Sequence, residues 1–277
     1  MGEGDRLSSN GTSTALFDRL VRPVLAAPSL PSTSFTFGGR AFRAAEVIER
    51  LAPFVGDARQ ARIEAVVAAR TVRVVPVLER VHDLGNVNAA LRSTEWLGYG
   101  AAHLVALEGE AADWSHGLEM GDAESVTVEG GTPAQRQSQG ADKWLDLQVW
   151  PDAATACDGL KAQGYRIAAT HLDAAAVPIA EVDFTVPTAL VFGNERDGIS
   201  DALLARADLN VVLPIDGFIQ SYNISVATAL GLYHARQDRI ARQGHHGDLS
   251  DEEKERLTAR YYLRSVRAAE QILARYA

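Results

Sequence analysis

Short apolar runs alternate with amphipathic stretches through the middle of this chain. The apolar runs predict strands at Val72–Leu78, His103–Leu107, Ser125–Val128, Leu147–Trp150, Arg166–Ala169, Thr188–Phe192 and Asn210–Leu213. The amphipathic stretches predict helices at Asn86–Leu97, Ala153–Gln163, Ser200–Ala207 and Ser221–Ile240. Strands that alternate with helices favour an α/β fold, with a mostly parallel sheet and helices on both faces. Ligands of such sheets bind at the carboxyl ends of the strands.

The segments on either side of this region have a different character. Residues 1–39 are rich in Ser, Thr, Gly and Pro, and they predict a flexible N-terminal arm. Residues 40–71 have a helical pattern, broken at Pro53 and Gly56, and they predict a helical lead-in to a main domain at 72–242. A capping-box pattern at Ser250 and Glu253 predicts a final helix in a C-terminal extension, residues 243–277.

Composition narrows the class of protein. At 277 residues, 47% of them hydrophobic, the chain can bury a substantial core. The single Cys157 excludes an internal disulfide and a metal site built from cysteines, and it favours a reducing compartment. No apolar run approaches the roughly 18 residues of a membrane span, and the first residues lack a signal peptide pattern. We expect a cytoplasmic protein with no membrane partner and no metal.

The net charge of −9 argues at first sight against a nucleic acid partner. The excess acid lies in residues 93–233, which hold 20 acids and 6 bases, whereas residues 40–92 hold 9 bases and 6 acids. Residues 234–277 are also mildly basic, with 9 bases and 7 acids. Most of the bases in these flanks are arginines, whose planar guanidinium suits phosphate. The flanks are therefore either RNA-contacting surfaces or solvated helix faces, and the pattern alone leaves both open.

Two stretches of the sequence place polar residues just after a predicted strand. The first, NVNAALR, places Asn86 in the first turn of a helix and Arg92 about two turns further on. An arginine in an otherwise apolar helix needs a purpose or a partner, and a pair with Glu95 is the alternative. The second, LVFGNERDGIS (190–200), is a strand followed by a loop that carries Glu195. By itself it is equally an ordinary strand–loop–helix unit.

The third polar stretch is LPIDGFIQSYNISVATALGL, residues 213–232. It predicts a strand end, a turn, and a buried helix that begins near Ser221, with Asn223 and Ser225 in its first turn. The free N–H groups and the dipole of such a helix start suit a phosphate or carboxylate, and the alternative is that Ser221 is an ordinary N-cap. The chain has no P-loop, no GxGxxG and no His/Cys metal spacing.

Taken in order, these three stretches resemble the three sequence motifs of the SPOUT superfamily of RNA methyltransferases, and most closely its SpoU/TrmH family of tRNA guanosine 2′-O-methyltransferases. The segments GADKWLDL (140–147) and GYRIAATHL (164–172) and the final helix match as well. The resemblance covers about residues 41–277. It implies a C-terminal trefoil knot, a homodimer, and a tRNA substrate modified at guanosine 18 of the D-loop.

The resemblance also implies a cofactor and roles for particular residues. S-adenosylmethionine is expected to be held by the backbone of the knot loops, which correspond here to Thr170, Gly193, Leu213, Ile215 and Tyr222. Tyr222 stands where the family usually has leucine. Arg92 is expected to act on the ribose 2′-hydroxyl, in a site shaped by Asn86, Glu195, Ser221 and Asn223. From the basic flanks we assign tRNA contacts to Arg59, Arg62, Arg70, Arg236 and Arg239.

Two alternatives compete with this interpretation. One is a 2′-O-methyltransferase of the same superfamily that acts on ribosomal RNA. The other is a SPOUT-like protein that binds RNA but has lost catalysis, and the presence of Arg92, Glu195, Ser221 and Asn223 argues against it.

Overall fold

The computed structural model describes residues 35–106, 140–218 and 221–277, apart from the side chain of Asp142. Residues 1–34 and the predicted strand Ser125–Val128 lie outside the described residues. The described part begins with a two-stranded antiparallel hairpin, β1 (Phe35–Phe37) and β2 (Arg40–Phe42). Residues 35–37, which the sequence placed in the arm, are a strand of this hairpin. The hairpin forms here because Phe35, Phe37 and Phe42 are buried against the rest of the protein.

The core of the protein is a seven-stranded sheet in the order β5-β4-β3-β8-β6-β9-β7, in which every neighbouring pair is parallel. Its strands are β3 (Val74–Glu79), β4 (Ala101–Val105), β5 (Asp146–Trp150), β6 (Arg166–Thr170), β7 (Val177–Pro178), β8 (Thr188–Gly193) and β9 (Leu209–Val212). The α/β fold with a mostly parallel sheet is confirmed, and six predicted strands lie within about two residues of observed ones. The two-residue β7 has no periodicity that could predict it.

Eight helices are described, together with short 3₁₀ turns at Ala52–Phe54, Ala141–Trp144 and Ile179–Glu181. The helices are α1 (Ala44–Leu51), α2 (Asp57–Ala68), α3 (Leu84–Trp96), α4 (Ala153–Ala162), α5 (Asp201–Leu204), α6 (Ile224–Gln243), α7 (Asp251–Ser265) and α8 (Ala269–Ala274). The capping box at Ser250 and Glu253 is confirmed, because each side chain accepts the backbone N–H of the other residue.

Helices cover both faces of the sheet, and β3 shows why. Its six residues are all buried, and alternate side chains enter two different hydrophobic clusters. Val75 and Val77 face a cluster that contains apolar residues of α1, α2, α4, α7 and α8. Val74 and Leu78 face a cluster that contains residues of α3 and α6. A strand buried on both sides reads as a continuous apolar run, as VVPVL does here.

Two arginines assigned to tRNA contact are structural instead. Arg70 is 1% exposed, and its guanidinium donates to the Glu95 carboxylate at 2.6 Å and to the Tyr99 carbonyl at 2.6 Å. Arg239 is 0% exposed and donates to the Asp248 carboxylate at 2.5 Å. RNA on the surface cannot reach either side chain, so this assignment is corrected. Removing one partner from such a buried pair typically costs about 3–5 kcal/mol.

Within the described ranges, no helix is long and apolar enough to cross a bilayer. Over the same residues, no group of three or more His, Cys, Asp and Glu side chains is arranged to hold a metal ion.

Acid is expected to destabilise this fold through two buried histidines. Burial lowers the pKa of His246 to about 3, with help from the charges of Arg239 and Arg236. Burial also lowers the pKa of His103 to about 4. Both values lie below the ordinary 6.5, so the unfolded chain binds more protons at mildly acid pH. The stability that these two neutral histidines contribute is fully present above about pH 6.5. It falls as the pH drops toward the pKa values that they have in the folded state.

We expect the free energy of unfolding in urea to fall by about 1–2 kcal/mol per histidine between pH 7.5 and pH 5. His246→Leu should remove about half of this pH dependence. His245→Leu is the matched control, because its ring is exposed, and it should leave the pH dependence unchanged. Equal stability of the original chain at both pH values would contradict the prediction.

Candidate active site

The three motifs meet at the carboxyl edge of the sheet, although they are far apart in the chain. The side-chain amide of Asn86, in the first turn of α3, donates to the Glu195 carboxylate at 2.6 Å. The amide of Asn223 donates to the Asn86 side-chain carbonyl at 3.0 Å. Residues separated by 109 and 137 positions thus form one hydrogen-bonded chain. We call Asn86, Glu195 and Asn223 the amide–carboxylate network.

The start of α6 differs from the expected one. The helix begins at Ile224 rather than near Ser221, and its N-cap is Asn223. The Asn223 side-chain oxygen accepts the backbone N–H of Ser225 at 2.9 Å and its hydroxyl at 2.6 Å. Ser221 is exposed and lies outside the helix. Asn and Ser are similarly good N-caps, so the sequence offered two equivalent starting points.

The loop after β8 places Glu195. Gly193 touches the backbone of Gly198 so closely that a Cβ on it would lie 2.2 Å from the Gly198 carbonyl carbon. Gly198 has φ +68°, a conformation that favours glycine. The side-chain oxygen of Asn194 accepts the backbone N–H groups of Arg196 at 2.9 Å and Asp197 at 2.7 Å. The loop is therefore held in one tight turn by the close approach of Gly193 to Gly198 and by the side chain of Asn194.

Glu79 anchors the far end of this loop, and sequence reasoning missed it. It is fully buried at the end of β3, and its carboxylate accepts the backbone N–H of Ser200 at 2.9 Å and also the Ser200 hydroxyl. The signal was present in the sequence as an acid that ends the apolar run VVPVLE. A buried carboxylate needs such donors because an unsatisfied charge is costly.

Arg92 lies apart from the amide–carboxylate network within one chain. It follows Asn86 by six residues on the same helix, which places it about 9 Å along the axis and about 120° around it. The alternative pairing with Glu95 is not observed, since the Glu95 carboxylate pairs with Arg70. The exposed Arg92 side chain instead lines a surface recess together with Arg59, Arg62, Trp96 and Trp144.

The residues expected to hold a cofactor lie close to one another at strand ends. Thr170 and Gly193 end β6 and β8, and Leu213 directly follows β9. These three strands are adjacent in the order β8-β6-β9, and Thr170 is in register with Val211. Ile215 follows two residues later, and the Tyr222 hydroxyl donates to the Pro214 carbonyl at 2.7 Å.

A model of the SpoU rRNA Methylase family matches residues 73–233, more than half of the chain. The chain belongs to this family. Among curated relatives, a tRNA (guanosine(18)-2′-O)-methyltransferase of Thermus thermophilus is 36% identical over 185 residues, which cover 66% of this chain and 84% of the relative. An enzyme of the same name from Escherichia coli is 34% identical over 181 residues, covering 65% and 70%.

Among solved structures, a TrmH/SpoU tRNA modifying enzyme of A. aeolicus superposes with a TM-score of 0.62 at 27% identity. The match covers 76% of this chain and 98% of that one. The SpoU family assignment agrees with the resemblance that the three motifs carry. The knot that this resemblance implies stays a prediction.

Because Asn223 and not Ser221 caps α6 in this SpoU family member, their substitutions should differ in effect. We expect Asn223→Ala to lower the free energy of unfolding by about 0.5–2 kcal/mol, through loss of the N-cap. Ser221→Ala should change it by less than about 0.5 kcal/mol. Urea unfolding followed by circular dichroism measures both. If Ser221→Ala lowered the free energy of unfolding more than Asn223→Ala does, Ser221 and not Asn223 would be the N-cap.

Proposed function

We propose that this protein transfers a methyl group from S-adenosylmethionine to a ribose 2′-hydroxyl of tRNA, at guanosine 18, in the cytoplasm. The observation that carries the proposal is the amide–carboxylate network, in which one residue from each of the three motifs takes part. The names of the relatives from Thermus thermophilus and Escherichia coli support the tRNA target.

The strand ends of β6, β8 and β9 fit a cofactor that is recognised by backbone groups. Gly193 leaves no room for a side chain on this loop, so the backbone itself forms the surface. The buried Leu213 and the half-buried Ile215 provide apolar contact beside it. Thr170, Gly193, Leu213, Ile215 and Tyr222 would hold S-adenosylmethionine. When bound, it supplies a methyl group already activated by a sulfonium.

The network residues orient the acceptor nucleotide. Asn86, Glu195 and Asn223 fix one another's rotamers, so a ribose bound against them meets groups that need no rearrangement. Holding nucleophile and methyl carbon in line can supply up to about 7–11 kcal/mol of the barrier reduction. Glu195 is the only anion of the network, and it can accept a hydrogen bond from a substrate hydroxyl.

Arg92 is better suited to polarise the 2′-hydroxyl and hold a phosphate than to remove a proton. A guanidinium only donates hydrogen bonds and does not give up its proton in proteins, so it is a poor base. Within one chain Arg92 and the network occupy different faces of α3, so we propose that a second copy supplies Arg92 to the site. The homodimer is therefore part of the proposed active centre.

An exposed apolar stripe on α6 supports the homodimer. Val226, Leu230 and Tyr233 are 45%, 43% and 53% exposed, and their spacing of four and three residues puts them on one face of the helix. An apolar stripe of this kind is typical of a protein–protein contact.

Loss of Arg92 should separate binding from chemistry. We expect Arg92→Ala to bind S-adenosylmethionine as the original chain does, but to transfer methyl groups to a tRNA transcript at least about 100-fold more slowly. Calorimetry measures the first property, and transfer of labelled methyl groups measures the second. Turnover of Arg92→Ala at the original rate would remove Arg92 from the mechanism.

The RNA target is tested by mapping the modified nucleotide. Incubation with total tRNA and with 23S ribosomal RNA, followed by mapping of 2′-O-methyl groups, should find the product at guanosine 18 of tRNA. Product in ribosomal RNA alone would favour methylation of ribosomal RNA, the activity for which the SpoU rRNA Methylase family is named. Cofactor binding with no product in either RNA would favour an inactive RNA-binding protein.

The homodimer is tested by placing a negative charge in the exposed apolar stripe of α6. Leu230→Asp should shift sedimentation from dimer to monomer and abolish methyl transfer. Phe54→Asp is the matched control, since Phe54 is 58% exposed and lies outside the stripe.

Mixing inactive Arg92→Ala with inactive Glu195→Ala should restore activity if each active site takes Arg92 from one copy and Glu195 from the other. No recovery in confirmed mixed dimers would place Arg92 in its own chain's site.

A further inference from the structure

The recess that contains Arg92 has the features of a second binding site. It lies between α2, α3, the 141–144 turn and α7, and its volume is about 320 Å³. This volume is within the range of sites that bind small ligands. Three arginines form most of its polar surface: Arg59, Arg62 and Arg92. Three aromatic side chains also line it: Trp96, Trp144 and Tyr261.

The recess is positively charged in an acidic protein. Among the side chains of its lining that the structure describes, the only carboxylate is that of Glu95, which pairs with Arg70 at 2.6 Å. Over the described ranges, neither Arg59, Arg62 nor Arg92 forms an ion pair with a carboxylate. Three cations in a concave surface concentrate positive potential, although the whole chain has a net charge of −9. The recess therefore attracts an anion such as a phosphate.

The aromatic wall formed by Trp144 and Tyr261 is held in place before any ligand binds. The Tyr261 ring packs edge-on against the Trp144 ring at 5.2 Å and 87°, and the Tyr261 hydroxyl donates to the Trp144 carbonyl at 2.8 Å. The Arg59 guanidinium lies 5.0 Å from the centroid of the Trp144 ring. Across the recess, the Trp96 side chain is 83% exposed. Fixed aromatic and guanidinium planes suit the stacking of a flat ligand.

We propose that this recess binds one unpaired nucleotide of the RNA substrate, with its base stacked on Trp96 and its phosphate between Arg59 and Arg62. Cations alone would hold a phosphate, but the exposed indole adds a surface for a base. Paired bases hide their faces in a helix, whereas proteins recognise unpaired bases by stacking them on aromatic rings or arginine planes. The proposal rests on the proposed function, because that function makes RNA the substrate.

Arg92 connects the recess to the reaction. It lines the recess and is also the group expected at the target ribose, so the bound nucleotide would lie close in the RNA strand to the modified one. The recess would then select an RNA in which unpaired nucleotides flank the target. Base pairing around the target would weaken binding, which gives the enzyme a preference for loops.

The experiment uses the full chain and an unmodified tRNA transcript. Arg59→Gln/Arg62→Gln removes two cations from the recess, and Arg267→Gln/Arg275→Gln removes two exposed cations outside it. Trp96→Ala removes the stacking surface, and Trp96→Phe keeps an aromatic ring. Dissociation constants are measured at several salt concentrations, together with KM and kcat for methyl transfer and with sedimentation of each variant.

The recess arginine variant should bind tRNA more weakly, and the slope of log affinity against log salt should fall by about 0.7, since Arg59 and Arg62 hold one phosphate and each phosphate contact to a single strand contributes about 0.7. The control pair should keep the original slope. Trp96→Ala should weaken binding by about 5- to 150-fold, the range for loss of one stacked base, and Trp96→Phe should recover most of it. Both recess variants should raise KM with little change in kcat.

Unchanged affinity and salt slope in the recess arginine variant would overturn the proposal. A monomeric Trp96→Ala would also overturn it, because Trp96 would then belong to the contact between copies. The proposed function fails separately, if the original chain transfers no methyl group to any RNA. If the original chain methylates tRNA and the recess variants match it, only the recess assignment fails.

Discussion

The parallel direction of all seven strands is the constraint on which the site depends. In a parallel sheet every strand delivers its carboxyl end to the same edge, so the loops after β3, β8 and β9 open on one side. Asn86, Glu195 and Asn223 follow those three strands and therefore meet within hydrogen-bond distance. An antiparallel β8 would send Glu195 to the opposite edge and break the network.

Arginine has two distinct roles in this molecule, and burial separates them. Arg70 and Arg239 lie inside, where ion pairs with Glu95 and Asp248 and hydrogen bonds to backbone carbonyls offset the cost of removing a charge from water. Arg59 and Arg62 stay in solvent without carboxylate partners among the described residues and remain available to a phosphate. An acidic protein can therefore present a locally basic surface.

One helix serves two surfaces under the functions proposed above. α3 presents Asn86 to the network at its first turn and Arg92 to the recess two turns later, because a rotation of 100° per residue separates positions six apart by about 120°. The same helix buries Val87 and Leu91 against the sheet. Its three faces thus join the core, the network and the recess in one rigid element.

The sequence by itself determined the α/β class, six of the strands, and the three motifs with Arg92, Glu195 and Asn223. These follow from apolar periodicity and from local residue order, which a linear pattern records. Only the tertiary structure decided that Arg70 is buried, that Asn223 caps α6, that Glu79 holds the Glu195 loop, and that Trp96 and Trp144 share a recess. The cap is a local contact of Asn223 with Ser225, but the residue order offered Ser221 as an equally good cap. The other three features depend on contacts between residues distant in the chain, and such contacts form only when the elements pack.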